Sequence, residues 1–498
     1  MSGHDKSYRV TDNWAVIVAG LLSALFLLAS LYISGQRLAW YDEIMTAVVS
    51  RQSWPGGTLR ALRTGIDQQP LPYYLLVKLS SWAFGGSTLA LRIPSALALS
   101  AGLLITFDCA RRLTNGLCGL LALSLLLCTI LPYYGFEARP YALVFMWTAG
   151  SLWLWLHTPR DSKVAALCFG LTVFGSVTSH YYAVFCLIPY GLSALLEIRK
   201  KGLPPKVVAG SAGAIAGLAM ILPVAGALHR LTGDFWAPPT FDGLERAFLD
   251  FFPYLAVLLP LMLVWIALAS FGRPNVAPLP VETSERLAWL FLLIPFAGLL
   301  VARFVTHAFY HRYFIGILSG VAVGFSCMMW RYFRLRPIVP AGILCLLATF
   351  GTLRCALHVG HAKWMEPPSA KVELAWLERV LQAEDGLSSE GKQFIVVPSG
   401  GLLGIEALYL SRHPERYRLL EYPDLPAKTI SVLNRNLGMY LPVHFWSLND
   451  LKAHAREAAL VDPSDLDELT AHLISMQREG LTFEFHPLGD ALKLIYLQ

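Results

Sequence analysis

Asp42 and Glu43 stand side by side in the stretch Trp40-Tyr41-Asp42-Glu43-Ile44-Met45-Thr46, just past the end of an apolar run. Two adjacent carboxylates at a membrane boundary are costly to desolvate unless a task or a partner holds them there. The chain continues through Asp67-Gln68-Gln69-Pro70 into Leu71-Pro72-Tyr73-Tyr74, so a polar segment over residues 34–88 separates the first two apolar runs. Such a segment is too long for a simple connector. Acids, amides, prolines and aromatic rings gathered at one boundary point to a reaction centre at a membrane surface rather than a pore. The plainer reading of the acidic pair is a solvated start to a loop.

The cations for such a centre lie at the ends of other apolar runs. Arg139, in Phe136-Glu137-Ala138-Arg139-Pro140, offers a planar fork of donors that matches phosphate oxygens. Its plainer role is an ion pair with Glu137 at a helix start. Arg92 and Arg312 can join Arg139, or they can extend their stems toward lipid headgroups. His180-Tyr181-Tyr182 falls between two apolar runs, where a His can bind phosphate or reach an acceptor, while tyrosines commonly anchor at the interface. Tyr133-Tyr134 reads as the same kind of anchor. His307 and His311 flank Phe309-Tyr310, and that spacing alone is no metal motif, so no metal is assigned to them.

These residues need elements to position them, and composition says which. The 498 residues are 55% hydrophobic and 15% charged, with a mean hydropathy of +0.51. That is far from a soluble chain. Apolar runs long enough to cross ~30 Å of hydrocarbon recur through the first three quarters. Eleven are expected, near 13–33, 88–109, 116–133, 140–157, 164–179, 183–197, 207–227, 251–271, 287–303, 314–330 and 338–356. The first has no small-residue cleavage pattern after it and reads as an uncleaved anchor.

Orientation follows from the connecting loops. With a cytoplasmic N-terminus, Arg111, Arg112, Arg160, Lys163, Arg199, Lys200, Lys201, Lys206, Arg273, Arg331, Arg334 and Arg336 all fall on the cytoplasmic side. An odd number of spans then puts residues 34–88 and the whole C-terminal region outside. The formal charge of +6 is therefore a topology signal, not a nucleic-acid-binding one. All eight cysteines lie between Cys109 and Cys355, so no disulfide framework supports the C-terminal region. They read as apolar packing residues.

Composition changes at Glu366-Pro367-Pro368. Beyond it, helical stretches (Lys371–Ala383, Gly404–Arg412, Asp450–Ala459, Pro463–Gly480) alternate with strand-like runs (Phe394–Val397, Arg418–Tyr422, Leu481–Phe485, Ala491–Leu497). Alternation of this kind predicts an external α/β domain over 366–498, after a transmembrane module over 1–357. The glycine-rich turn Ser399–Gly404 follows a strand and opens a helix, as phosphate-binding turns do. It lacks the dinucleotide-binding spacing and an acidic ribose partner, so a structural turn is the preferred reading.

Taken together, the motifs resemble the GT-C superfamily of membrane glycosyltransferases, in the bacterial branch related to protein O-mannosyltransferases and aminoarabinose lipid A transferases. The resemblance rests on Asp42-Glu43 after the first span, Gln68–Leu79 (QQPLPYYLLVKL), Leu91–Leu97 (LRIPSAL), Phe136–Leu143 (FEARPYAL) and, more weakly, Arg312-Tyr313. It is dense over 34–145 and leaves the C-terminal domain unmatched. It implies a fold of about eleven transmembrane helices, with Asp42 as general base and Glu43 placing the acceptor. The two acids could also hold a divalent cation, Mg or Mn. Arg139, with Arg92, Arg312 and Lys78, is expected at the donor phosphate. Gln69, Tyr73, Glu137, His180 and Tyr181 are expected to line the substrate. Where the family often has His or Lys before the prolines, this chain has Gln68 and Gln69, neutral amides that bring no positive charge. If the following segment is a surface helix, Lys78 can restore charge from a turn or two away.

The function so implied is an inverting transfer of a sugar from a polyprenyl-phosphate carrier. It would take place on the outer face of a bacterial inner membrane, with a protein Ser or Thr, lipid A or a lipid-linked glycan as acceptor. The C-terminal domain is expected to guide the acceptor. The rival class is a lipid or polysaccharide transporter or flippase, whose polar groups should interrupt the spans near mid-membrane. Here they gather at the span ends. A polysaccharide polymerase or ligase would carry its large acceptor loop late in the chain instead.

Overall fold

The computed structural model describes residues 12–226, 237–271 and 277–360. In the C-terminal region it describes 391–398, 403–421, 435–441, 443–462, 480–487 and 493–497, with scattered positions between 377–387 and 474–478. The chain divides into two compact units. One holds 1–36, 69–226 and 235–362, and the other holds 37–68, 227–234 and 363–498.

The first unit is helical. In chain order, with the helices of the second unit included, the helices are α1 (Asn13–Gln36), α2 (Tyr41–Arg51), α3 (Gly56–Arg63), α4 (Leu71–Phe84), α5 (Thr88–Leu113) and α6 (Gly116–Leu127). They continue as α7 (Tyr141–His157), α8 (Lys163–Ser179), α9 (Ile188–Lys201), α10 (Pro205–Ala219), α11 (Phe241–Phe251) and α12 (Leu255–Ser270). Then follow α13 (Thr283–Leu290), α14 (Ile294–Val301), α15 (Ile317–Phe333) and α16 (Ile338–Gly360). Each apolar run expected from the sequence overlaps one of these helices or a pair of them, although α6 stops at Leu127 and α10 at Ala219, short of the runs expected there. Among the described residues, six segments are long and apolar enough to cross a membrane: 13–36, 88–113, 181–198, 205–224, 283–306 and 338–360. A seventh is the pair α11 and α12, bent by 58°. Three more apolar helices, α6, α8 and α15, are shorter.

Small residues let these helices approach one another. A Cβ at Gly213 of α10 would lie 2.2 Å from the carbonyl oxygen of Gly170 in α8, and one at Gly170 would lie 2.7 Å from that of Ala209. In hydrocarbon, where the hydrophobic effect gives helices no reason to associate, such close backbone contact supplies the packing. Caps finish the ends. The Ser87, Asn115 and Ser162 side chains accept the N–H groups of Ala90, Cys118 and Ala165 at the starts of α5, α6 and α8. Lys206 donates to the carbonyls of Leu154 and Thr158, each at 2.9 Å, closing the C-terminus of α7.

The second unit is built on a six-stranded sheet of β1 (Phe394–Pro398), β2 (Tyr417–Leu420), β3 (His444–Trp446), β4 (Ala458–Asp462), β5 (Phe483–Pro487) and β6 (Lys493–Leu497). Their order is β3-β2-β1-β4-β6-β5. The first four in that order are parallel, with Ile395 opposite Tyr417 and Ala459. β6 and β5 run antiparallel, with Leu460 opposite Ile495. Helices α17 (Leu403–Leu410) and α18 (Leu448–Ala453) connect the strands. Val396, Leu420, Leu451, Ala458, Leu460 and Met476 form the core of this unit.

The sequence reading differs from this structure in places that share a cause. Asp450–Ala459 was expected to be helical, but the helix ends at Ala453 and Ala458–Asp462 is a central strand. Its Arg, Glu and Ala residues favour a helix locally, while the run Ala-Ala-Leu-Val satisfies a strand buried on both faces. β3 was not expected at all, because three residues carry too little pattern. The helix expected over Pro463–Gly480 and the turn Ser399–Gly404 fall largely outside the described residues.

Candidate functional site

The two acids singled out in the sequence do not stand in a loop. Asp42 and Glu43 form the first turn of α2, where the free N–H groups and the helix dipole favour negative charge. Both are buried, at 9% and 1% exposure. The Glu43 carboxylate turns back and accepts the N–H of Trp40 at 3.4 Å, so it serves the start of its own helix. In the same unit, Oε1 of Glu406 in α17 accepts the N–H of Tyr41 at 2.8 Å, and Oδ1 of Asp67 accepts the N–H of Gln68 at 2.7 Å. Burial, followed by the charges of Asp42, Glu406 and Asp67, pushes the Tyr41 hydroxyl far above the ordinary phenol range. Three carboxylates therefore lie around one phenol.

Two further links hold α2 and the segment after it inside this unit. The Arg51 guanidinium lies 5.5 Å over the ring of Tyr409 in α17. Asn436 donates to the carbonyl of Thr64 at 2.7 Å. Glu406 escaped the sequence reading, although one signal was present: a lone acid inside the apolar helix Leu-Gly-Ile-Glu-Ala-Leu-Tyr-Leu. Among the described residues, no three His, Cys, Asp or Glu side chains are grouped to hold a metal ion.

The helical unit carries a second polar group, rich in cations and aromatic rings. Arg139 is buried in a tight turn just before α7, and its N–H donates to the carbonyl of Glu137 at 2.8 Å. Ser95 of α5 donates to the Arg139 carbonyl at 3.0 Å, which ties the Leu91–Leu97 segment to the Phe136–Leu143 segment. The Arg312 guanidinium lies 5.4 Å over the Tyr141 ring and 5.1 Å over the Tyr310 ring. His180 stacks on Tyr313 at 4.8 Å and leans on Tyr141 at 5.6 Å.

Burial first, and then the charges of Arg139 and Arg312, lower the His180 imidazole to about 3. His180 is therefore neutral. Its Nδ1 accepts the N–H of Tyr182 at 3.3 Å, which leaves Nε2–H as the ring's donor. Two arginines, a neutral donor and several phenols thus gather around His180, residue types whose hydrogen-bond donors suit an anion.

The other expected residues are placed differently. Arg92 is buried, and its Nη1 donates to the carbonyl of Ser34 at 2.8 Å, capping the end of α1. Lys78 is half-buried on α4. Gln69 is buried just before α4, and Tyr73 packs edge-on against Tyr74 at 5.4 Å inside it. Tyr181 is half-buried in the short turn that leads into α9. Glu137 is fully buried beside Arg139 in the chain, and its charge reaches Tyr134. Tyr134, Tyr141, Tyr310 and Tyr313 join Arg312 and His180; from sequence Tyr134 reads as an anchor, and Tyr141 and Tyr313 are motif residues with no role of their own. Only their mutual contacts mark them.

The profile of the family described as dolichyl-phosphate-mannose-protein mannosyltransferase matches residues 67–226, which hold Arg139 and His180. An undecaprenyl phosphate-alpha-4-amino-4-deoxy-L-arabinose arabinosyl transferase of Pseudomonas fluorescens is 23% identical over 309 residues, covering 58% of this chain and 55% of the relative. The Yersinia enterocolitica transferase of the same description is 27% identical over 239 residues, covering 44% of this chain and 41% of the relative. The chain thus spans about half the length of the curated relatives it matches.

The crystal structure of ArnT from Cupriavidus metallidurans bound to undecaprenyl phosphate superposes with a TM-score of 0.58 at 11% identity, covering 98% of each chain. Its apo form gives a TM-score of 0.56 at 10% identity, covering 96% of this chain and 97% of that one. This chain is thus a multi-pass membrane protein with a small C-terminal sheet domain, and its fold is similar to that of ArnT.

Proposed function

We propose that the chain is a glycosyltransferase that takes a sugar from a polyprenyl-phosphate carrier and passes it to an acceptor hydroxyl on the outer face of a bacterial inner membrane. The observation that carries this reading is the group of Arg139, Arg312, His180 and their aromatic neighbours, with Arg139 and His180 buried, in a fold similar to that of a protein solved with undecaprenyl phosphate. Such a group suits a leaving phosphate. Arg139 and Arg312 offer charged donors to its oxygens, and His180 offers a neutral one. Gln69, Tyr73, Glu137 and Tyr181 are proposed to contact the sugar or the acceptor.

In the reaction the acceptor oxygen attacks the anomeric carbon, and the bond from that carbon to the phosphate oxygen breaks with its electron pair left on the phosphate. The acceptor proton passes to a carboxylate, the role proposed for Asp42. Glu43, turned onto the start of α2, keeps Asp42 in its place in the helix. A divalent cation held by Asp42 and Glu43 is proposed from the resemblance alone. The C-terminal domain over 366–498 is proposed to lie outside and to guide the acceptor, which can be lipid A, a protein Ser or Thr, or a lipid-linked glycan.

The test is incubation of the purified protein in detergent with labelled polyprenyl-phosphate sugars and candidate acceptors. Consumption of the donor supports the reading. A protein that binds none of the donors and consumes none refutes it.

A further inference from the structure

Three polar side chains without a role so far form one hydrogen-bonded chain inside the helical unit. The Asp250 carboxylate, at the end of α11, accepts from Nδ1 of His311 at 2.9 Å. His311 opens the short turn His311–Phe314, and its Nε2 meets the Tyr134 hydroxyl at 3.3 Å. Asp250 is half-exposed, whereas His311 and Tyr134 are buried. Tyr134 packs edge-on against Tyr141 at 5.1 Å, and Tyr141 is the ring under the Arg312 guanidinium. The chain thus runs from an exposed carboxylate to the cation and aromatic group.

A phenol has one hydrogen to place. With His311 neutral and Nδ1–H on Asp250, Nε2 is an acceptor and takes the Tyr134 hydrogen. The Tyr134 oxygen then offers its surroundings only lone pairs, which a phosphate, itself an acceptor, disfavours. With His311 protonated, both ring nitrogens donate, and Nε2–H points at the Tyr134 oxygen. The Tyr134 hydrogen is then available to a phosphate.

His311 is faced by Asp250 from α11, by Arg312 and Tyr310 beside it, and by Tyr134. Tyr134 is faced in turn by Glu137, Arg312, Tyr141 and Tyr310. His180 and Tyr182 pack on the same turn through Tyr313. Burial pushes His311 below its ordinary range, the hydrogen bond and charge of Asp250 oppose that, and Arg312 adds to it. An arriving phosphate favours the imidazolium, so phosphate binding is linked to proton uptake.

We infer that Tyr134 is a hydrogen-bond donor to the carrier phosphate, and that Asp250 and His311 are positioning residues that release its hydrogen by protonation of His311. The inference rests on the reading that this group holds the carrier phosphate.

Undecaprenyl phosphate is the probe, bound to full-length protein in lipid nanodiscs from about pH 5 to about pH 8.5, the range that brackets an ordinary histidine. The ionisation of the lipid itself is common to all variants and cancels in ratios of affinity. Wild type should bind roughly tenfold more tightly than Tyr134→Phe at the acid end, the worth of a hydrogen bond to a charged group, and about equally at the alkaline end. Asp250→Asn should move the change in that advantage to lower pH, and His311→Gln should abolish its pH dependence. A ratio that is the same at every pH, or an Asp250→Asn profile identical to wild type, overturns the inference while leaving the phosphate reading intact. Absence of binding by wild type at any pH overturns both. Should Tyr134→Phe fail to elute as a folded protein, the half-exposed Asp250→Asn reads the same shift.

Discussion

The backbone N–H of Tyr41 donates to Oε1 of Glu406 at 2.8 Å, across 365 residues of chain. One turn of helix thereby carries its own acids, Asp42 and Glu43, and borrows a third from α17. The acidic helix is a part of the sheet-containing unit and does not stand alone as a loop.

Glu406→Ala should therefore act on the acidic helix. It leaves a buried N–H without its charged acceptor, a loss of about 1–3 kcal/mol. Thermal unfolding of the purified protein should show a lower midpoint, and transfer to acceptor should fall with donor affinity unchanged. For the same reason, removal of residues 366–498 should disturb α2 as well as acceptor guidance. Unaltered transfer by a folded Glu406→Ala protein would show that the acids do not depend on this tie.

Asp42→Asn keeps the shape and removes the proton acceptor, so turnover should drop by roughly 100-fold or more. Donor binding should stay near wild type. Glu43→Gln keeps an acceptor for the N–H of Trp40 and should cost much less turnover, whereas Glu43→Ala should lose a cap worth about 1 kcal/mol. If Asp42→Asn turns over at the wild-type rate and Glu43→Gln does not, the base is Glu43.

Arg139→Ala should weaken binding of undecaprenyl phosphate by about 1.5–3 kcal/mol, the worth of a charged hydrogen bond. Arg139→Lys keeps the charge but loses the fork and should fall between the two. Arg312→Ala should lose affinity to a similar degree, since its charge acts on the same His180. Arg92→Ala should instead lower stability more than affinity, because its guanidinium holds the Ser34 carbonyl. Titration of each variant with the lipid, beside its melting curve, separates the two effects.

His180 makes a pH prediction with a defined sign. Its folded value is lowered to about 3 by burial, Arg139 and Arg312. The unfolded chain therefore takes up a proton at His180 below about pH 6.5 while the folded protein does not. Stability from this residue is full above that pH and declines as the pH falls toward 3, by up to about 1.4 kcal/mol per pH unit. His180→Asn should lose part of the acid sensitivity seen in melting curves from about pH 7 to about pH 4. An identical acid slope in wild type and variant would show that His180 is not held neutral.

The membrane-spanning runs were legible from the amino-acid order, because hydrocarbon demands long apolar helices whatever their neighbours. The place of Arg139 in the turn before an apolar helix was legible as well, since the Pro140 that follows it marks the helix start. The four strands predicted in the C-terminal region, β1, β2, β5 and β6, were legible from short apolar runs. β4 was masked by helix-forming residues beside it.

The union of the acidic helix with Glu406, and the meeting of Asp250, His311 and Tyr134, belong to the tertiary structure. Each joins side chains far apart in sequence, and nothing local in Leu-Gly-Ile-Glu-Ala-Leu or Arg-Ala-Phe-Leu-Asp-Phe specifies a partner. A buried carboxylate in an apolar helix announces that some donor must satisfy it, because its desolvation is costly. Which donor does so depends on how the helices and the sheet pack, and only the folded chain supplies that.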